Sequence, residues 1–185
     1  MTAETDITAE PAGIEAAALS AALLGQGLSP EAEALLQAAG ACYAEDARAE
    51  ALLEEAYAIA PDHPAVLIGL YRFYFYKGRL NEALTVGLAC VDKACRELGL
   101  DPDWRAVKPD DAAFGQFDAV LPRFLLFSLK GYAYLSMRLG ALDAGRAAVA
   151  KLLELDPTDK IGAQVLADVL AREGRDEDEL ELTEG

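Results

Sequence analysis

The sequence predicts an all-α chain of antiparallel helical hairpins stacked side by side. Three observations carry that prediction. Alanine, leucine and glutamate dominate and no β-branched run interrupts them, so helix propensity is high almost throughout. Glycine and proline fall between helical stretches and leave room only for short turns, the mark of antiparallel neighbours. The third observation is recurrence. Ala49 returns as Ala83, Ala56 as Cys90 and Gly140 as Gly174, each 34 residues on. Gly78 to Gly140 is 62 residues, one period and a remainder of 28, and Pro61 to Pro157 is 96, two periods and the same remainder of 28. A 34-residue period broken by one 28-residue insertion therefore underlies the chain.

Taken in order, residues 1–11 read as an acidic leader, and 12–24 (AGIEAAALSAALL) as an apolar helix covering the start of the stack. Ser29-Pro30-Glu31 is a helix start, with a capping hydroxyl and then proline at the first helical position, and predicts a helix to about Tyr43. Asp46 is placed to cap the next, which Pro61 stops near Ala60. Pro64 opens a third that ends near Gly78, and a fourth runs from about Leu80 to Leu98 before Gly99. The insertion, 98–125, holds the single tryptophan, Trp104, with Phe114 and Phe117. One or two short helices packing these rings on the stack are expected there. Pro122 suits the first turn of a long helix ending near Leu139. After a further hairpin partner, a helix over about 160–173 gives way to an acidic tail, 176–185. The ordered unit is thus a single domain over 12–175.

The 34-residue period, with small residues in the second helix of each hairpin and a closing proline, resembles the tetratricopeptide repeat (TPR) family. YFYKGRLNEAL (74–84) matches the family's turn, with Gly78 at the corner and Ala83 in the second helix; LELDPTD (153–159) matches its end, and AIAPDHP (58–64) does so less closely. Each position has a physical reason. Glycine at the corner accepts a conformation that a Cβ opposes. Ala49, Ala83 and Gly145 let two helices approach closely. Proline ends the second helix because it has no N–H to donate. In this phase the repeats are 30–63, 64–97 and 126–159, with a last one from 160 that turns polar as a terminal cap does. The first is degenerate, since Gln37 and Ala44 stand where glycines are usual. The implied fold is a superhelix of about three repeats plus capping helices.

Charge narrows the function. The 185 residues carry 32 acidic and 16 basic side chains, a net charge of −16. Nucleic acid and anionic membranes both call for a basic surface, so neither is an expected partner. The N-terminus lacks the basic and apolar regions of a secretory signal, and the longest apolar run, Val120 to Met137, contains Arg123 and Lys130. A cytoplasmic protein is the expectation. Cys42, Cys90 and Cys95 are odd in number and lack metal-ligand spacing, so they read as buried, reduced thiols. Catalysis finds little to work with. His63 is the single histidine and sits in a turn before a helix. The serines fall mainly on expected caps or helix surfaces, and neighbouring acids such as Glu54-Glu55 diverge around their helix. No nucleophile–base pair, phosphate loop or metal motif emerges. The expectation is a protein with no cofactor, no metal and no enzyme activity; a carboxylate-based enzyme is the remote alternative.

Binding has better material. In the family the first helix of each repeat lines a concave groove. Carried onto this sequence, the groove positions hold Ile68, Arg72, Phe75 and Tyr76, then Phe127, Lys130, Tyr134, Met137 and Arg138, then Gln164 and Arg172. Arg72, Phe75, Tyr76, Lys130, Tyr134, Met137, Arg138 and Arg172 are the candidate partner-binding residues, a basic and aromatic set of the kind that anchors interfaces. Tyr71, Phe73 and Tyr74 are assigned to the core. The carboxylate clamp that some family members use on chaperone tails is absent, because its places hold Ala34, Ala38, Gly69, Phe127 and Gly131. YRFYFYKGRL, DWRAV and PRFLLFSLKGYAYL resemble the small proteobacterial TPR proteins encoded among nitrogen-fixation genes. That resemblance implies a nitrogenase component, or a factor in its maturation, as the protein partner. The competing expectation is a homodimer formed through 12–24 or the insertion, with an incidental groove.

Overall fold

A computed structural model describes residues 27–116 and 118–183, with side chains as far as Glu173. The expected leader, the helix over 12–24 and Phe117 lie outside the described residues, as do the side chains of the acidic tail. Among the described residues there are seven α-helices, one 3-10 turn and no strand. The helices are α1 (Pro30–Ala41), α2 (Asp46–Ile59), α3 (Pro64–Tyr76), α4 (Leu80–Leu98), α5 (Val120–Arg138), α6 (Leu142–Leu155) and α7 (Gln164–Thr183). Each packs on the next, and α4 lies along α5 despite the insertion between them. The expected hairpin stack is the observed architecture.

Local chemistry explains the starts and corners. The Ser29 hydroxyl accepts from the Ala32 N–H at 3.2 Å, and His63 Nδ1 accepts from the Ala65 N–H at 3.2 Å, each one residue before a proline. Asp46 is not a cap: Glu45 stands at the N-cap and Asp46 is the first helical residue, its carboxylate held by Lys77 Nζ at 2.6 Å. Gly78 and Gly140 turn the corners at φ of 72° and 80°, the left-handed region that favours glycine. Ala49, Ala83 and Gly145 are buried at hairpin contacts, where the small residue lets the backbones close up. Ser128 and Ser136, expected on helix surfaces, are buried inside α5 because that helix is covered on several sides.

Ion pairs tie successive repeats together. Arg96 of α4 reaches back one full period to Asp62 at 3.3 Å, and Arg79 reaches Glu50 of α2 at 2.7 Å. The Arg96 hydrogen bond holds the Asp62 carboxyl below its usual range, and Arg79 does the same for Glu82. Tyr74 donates to Glu50 at 3.3 Å, and burial raises its phenol above the ordinary value.

Two expectations need correction. Among its described residues the insertion forms no α-helix of its own; of the one or two short helices expected there, one is present, the 3-10 segment Pro109–Asp111. It is held instead by its side chains, with Trp104, Val107 and Phe114 buried and Trp104 edge-on to Tyr132 at 5.9 Å. Lys151 Nζ donates to the Val107 carbonyl at 2.9 Å and Lys160 Nζ to that of Gly115 at 2.8 Å. These contacts satisfy a loop backbone that has no helix to satisfy it. Its last six residues, from Val120, are instead the first turn and a half of α5. The second correction concerns the C-terminus. The last helix runs over 164–183, starting four residues later and ending ten later than expected. Asp159, at φ 51°, accepts from the N–H groups of Ala163 and Gln164 and delays the start. Beyond Gly174 neither proline nor a second glycine interrupts the backbone before Thr183, so acidity alone does not end the helix.

All three cysteines are buried and free, as expected. Burial pushes the Cys90 thiol up to about 12 and that of Cys95 up to about 11.

Candidate functional site

The first helices of the repeats, α1, α3, α5 and α7, supply the face on which the candidate residues were expected. Between α1 and α3 this face opens into a cleft of about 690 Å³. That size is ordinary for a ligand site. The floor is apolar, formed by Leu36, Ala39, Leu53 and Ala65. Gly69 brings the α3 backbone close to this floor, since a Cβ there would come within 3.3 Å of Leu36 and 3.4 Å of Leu53. The rim carries Tyr43 and Tyr76, 39% and 48% exposed. Tyr43 is fixed in place: Lys77 Nζ sits 4.3 Å from its ring centre and Phe73 meets it edge-on at 6.1 Å. Arg72 and Glu33 supply charges on the walls.

Between α3 and α5 the face is closed by aromatics. Phe75 stacks on Tyr71 at 5.8 Å, meets Tyr76 edge-on at 5.4 Å and touches Tyr134 at 5.6 Å. Arg138 extends this shelf, its Nη1 donating to the Tyr134 hydroxyl at 2.7 Å. The cleft therefore ends in an aromatic shelf with an exposed guanidinium at its far side.

The structure brings Arg72 and Tyr76 into the cleft and Phe75, Tyr134 and Arg138 into the shelf. It gives the others different work. Lys130 Nζ donates to the Ile161 carbonyl at 2.7 Å and so braces the connection between α6 and α7. Met137 turns toward α6, its Cγ filling the space over Gly145, where a Cβ would come within 2.7 Å. Arg172 is exposed on α7, with Nε donating to the Asp168 carbonyl at 3.2 Å. Ile68 and Phe127, mapped to the groove, are buried in the core. Tyr71, Phe73 and Tyr74 are core residues as expected. The α1 side of the cleft, with Glu33, Gln37, Gly40 and Tyr43, was not among the candidates because the first repeat reads as degenerate. A signal was present in Gly40 and Gly69, glycines inside helices where no turn requires one.

The arginines divide by location. Arg48, Arg79, Arg96 and Arg105 are all paired with the chain's own carboxylates. Among the described residues, no ion pair involves Arg72, Arg138 or Arg172, and Arg146 on α6 is the exception outside the first helices.

Comparison with known proteins agrees with this architecture. The family model described as Tetratricopeptide repeat matches residues 47–86, the stretch from α2 to the middle of α4. The chain is similar to the "Uncharacterized 19.8 kDa protein in nifW 5'region" of Azotobacter chroococcum mcd 1, with 41% identity over 145 residues, 78% of this chain and 80% of that one. No solved structure matches significantly. Among the described residues, no helix is long and apolar enough to cross a membrane.

Proposed function

From the premise that the chain belongs to the family of this 19.8 kDa protein and is built of tetratricopeptide repeats, we propose that it is a non-enzymatic adaptor. Repeats of this kind serve protein–protein interaction, and here the α1–α3 cleft and the adjoining shelf receive a segment of a protein partner. The carrying observation is the division of the arginines: Arg72 and Arg138 flank an apolar, aromatic surface, and among the described residues no ion pair involves either. A segment with apolar side chains for the cleft and a carboxylate at either end satisfies both. Arg is well suited to that pairing because its planar fork binds a carboxylate through two hydrogen bonds. The location of the relative's gene, in the nifW 5' region, makes proteins of nitrogen fixation, a nitrogenase component or a maturation factor, the first partners to test.

The test is capture of partners from the native host by the tagged wild-type chain and by the Arg72→Glu/Arg138→Glu variant. Both guanidiniums lie outside the core, so helicity is expected to be unchanged while capture falls at least tenfold, the effect of losing about 1.4 kcal/mol of binding. Equal capture by wild type and variant overturns the groove reading.

A further inference from the structure

The cleft between α1 and α3 carries one charge of each sign, and the two stand at different heights. Gly69 of α3 faces Leu36 of α1, and Phe73 meets Tyr43 just beyond the end of α1, so the two helices run in the same direction. Glu33 lies three residues before Leu36, and Arg72 three residues after Gly69. At about 1.5 Å of rise per residue, the acid and the base stand about 9 Å apart along the cleft. Glu33 is toward the N-termini of both helices and Arg72 toward their C-termini. The floor between them, with Leu36, Ala39, Leu53 and Ala65, is apolar. Glu33 accepts from the Gln37 amide at 3.3 Å, a neutral partner. Among the described residues no ion pair involves Glu33 or Arg72.

We infer that the cleft takes an amphipathic helix of the partner, laid antiparallel to α1 and α3, with a carboxylate in its first turn and a basic side chain two turns later. The inference deepens the groove reading above and rests on it. The helical form follows from the spacing of the wall charges. Side chains seven residues apart on a helix share a face at a separation of about 10 Å, and those at the third and fourth positions between them point at the same floor. An extended segment places its same-face side chains about 7 or about 13 Å apart and fits the pair less well. The direction follows from the dipoles. Both α1 and α3 present their N-termini at the Glu33 end, so an antiparallel occupant opposes their dipoles. Its N-terminus then lies at Arg72 and its C-terminus at Glu33. The acid required by Arg72 falls in its first turn and the base required by Glu33 near its last, where each also stabilises the occupant's own helix. The reverse direction puts both charges at the wrong helix ends. Arg138 is the last residue of α5, so the carboxylate proposed for it precedes the helix, over the shelf.

A phage-displayed library tests the charge order directly. It is built on an alanine-rich helix randomised at positions i, i+3, i+4 and i+7. Selection is run on the tagged full chain, on Glu33→Arg/Arg72→Glu and on Glu33→Gln/Arg72→Gln, each checked for folding by circular dichroism. The wild-type chain is expected to enrich Asp or Glu at i, bulky apolar residues at i+3 and i+4, and Lys or Arg at i+7. The charge-swapped variant is expected to enrich the opposite order, and the neutral variant no order. By fluorescence anisotropy, the best wild-type binder is expected to lose roughly tenfold in affinity when its two charges are exchanged, and as much when proline replaces a central residue. No enrichment on the wild-type chain, or the same order on all three proteins, overturns the inference. So does undiminished binding of the proline peptide, which means an extended occupant. None of these results decides the capture experiment, in which native partners report on Arg72 and Arg138 together, so failure of the helix and failure of the groove are separate outcomes.

Discussion

Tyr71 offers a sharp test of the packing, because two glycines on different helices face its ring. Gly87 of α4 stands where a Cβ would lie 3.5 Å from Tyr71 Cε2 and 3.7 Å from Cδ2, ordinary van der Waals distances. Gly131 of α5 stands where a Cβ would come to 2.5 Å from the Tyr71 hydroxyl oxygen and 3.0 Å from Cζ. In an exposed helix either glycine-to-alanine change gains about 1 kcal/mol from propensity alone. At Gly87 nothing opposes that gain, so Gly87→Ala is expected to stabilise by about 1 kcal/mol. At Gly131 the new methyl drives into a ring held between three helices, and overpacking of this kind costs about 1–3 kcal/mol. Gly131→Ala is therefore expected to range from neutral to about 2 kcal/mol destabilising. Urea unfolding followed by circular dichroism separates the two, with midpoints moving in opposite directions or Gly131→Ala unmoved. Combining Gly131→Ala with Tyr71→Phe removes the oxygen that the methyl meets first. The double variant is expected to lose about 1 kcal/mol less than the two single losses added together. If Gly131→Ala stabilises as much as Gly87→Ala, or the cycle shows no coupling, the placement of Tyr71 between α4 and α5 is wrong.

Two further outcomes follow from buried polar groups. Asp156, only 2% exposed, accepts from the Ile161 N–H at 2.8 Å and from the Thr158 hydroxyl at 3.1 Å, closing the loop from α6 to α7. Asp156→Ala strands a buried donor and is expected to cost about 1–3 kcal/mol, lowering the melting temperature by several degrees, whereas Asp156→Asn keeps an acceptor and loses less; equal melting temperatures for Asp156→Ala and wild type contradict the arrangement. The thiols are predicted by sign. Burial raises Cys90 to about 12, so at pH 8 roughly one thiol in ten thousand is the reactive thiolate. Mass spectrometry after alkylation of the native protein at pH 8 is expected to find Cys90 and Cys95 unmodified and the more exposed Cys42 labelled first, with all three labelled in denaturant; rapid native labelling of Cys90 refutes its burial.

The period was legible because its determinants are local. A proline at the first helical position, a glycine at a corner with positive φ and an alanine at a close helix contact each act within a turn or one neighbouring helix. They report the hairpins without knowledge of the rest of the fold. The insertion was only half legible. Trp104 and Phe114 announced their burial, but the lysines that hold its backbone, Lys151 and Lys160, lie 44 and 45 residues from the carbonyls they serve. The site depended on such distant commitments more heavily still. Lys130 and Arg138 share a helix and both looked like groove cations. One is taken up by the Ile161 carbonyl, 31 residues away, and the other merely leans on its neighbour Tyr134.

That contrast gives the acidity of the chain its meaning. With carboxylates in twofold excess, a basic side chain near any of them pairs, as Arg48, Arg79, Arg96 and Arg105 do. Such pairs at the surface contribute little to stability. Their consequence is selective: they remove positive charge from the surfaces where acids are dense. Arg72 lines the cleft with Leu36, Gly69, Phe73 and Tyr76, Glu33 being the one carboxylate in that lining, and Arg138 lies beside Tyr134. Aromatic faces hold a guanidinium without neutralising it. Apolar and aromatic surroundings let an acidic chain keep a small basic patch, and the groove proposed above offers that patch to a segment bearing both a carboxylate and apolar side chains.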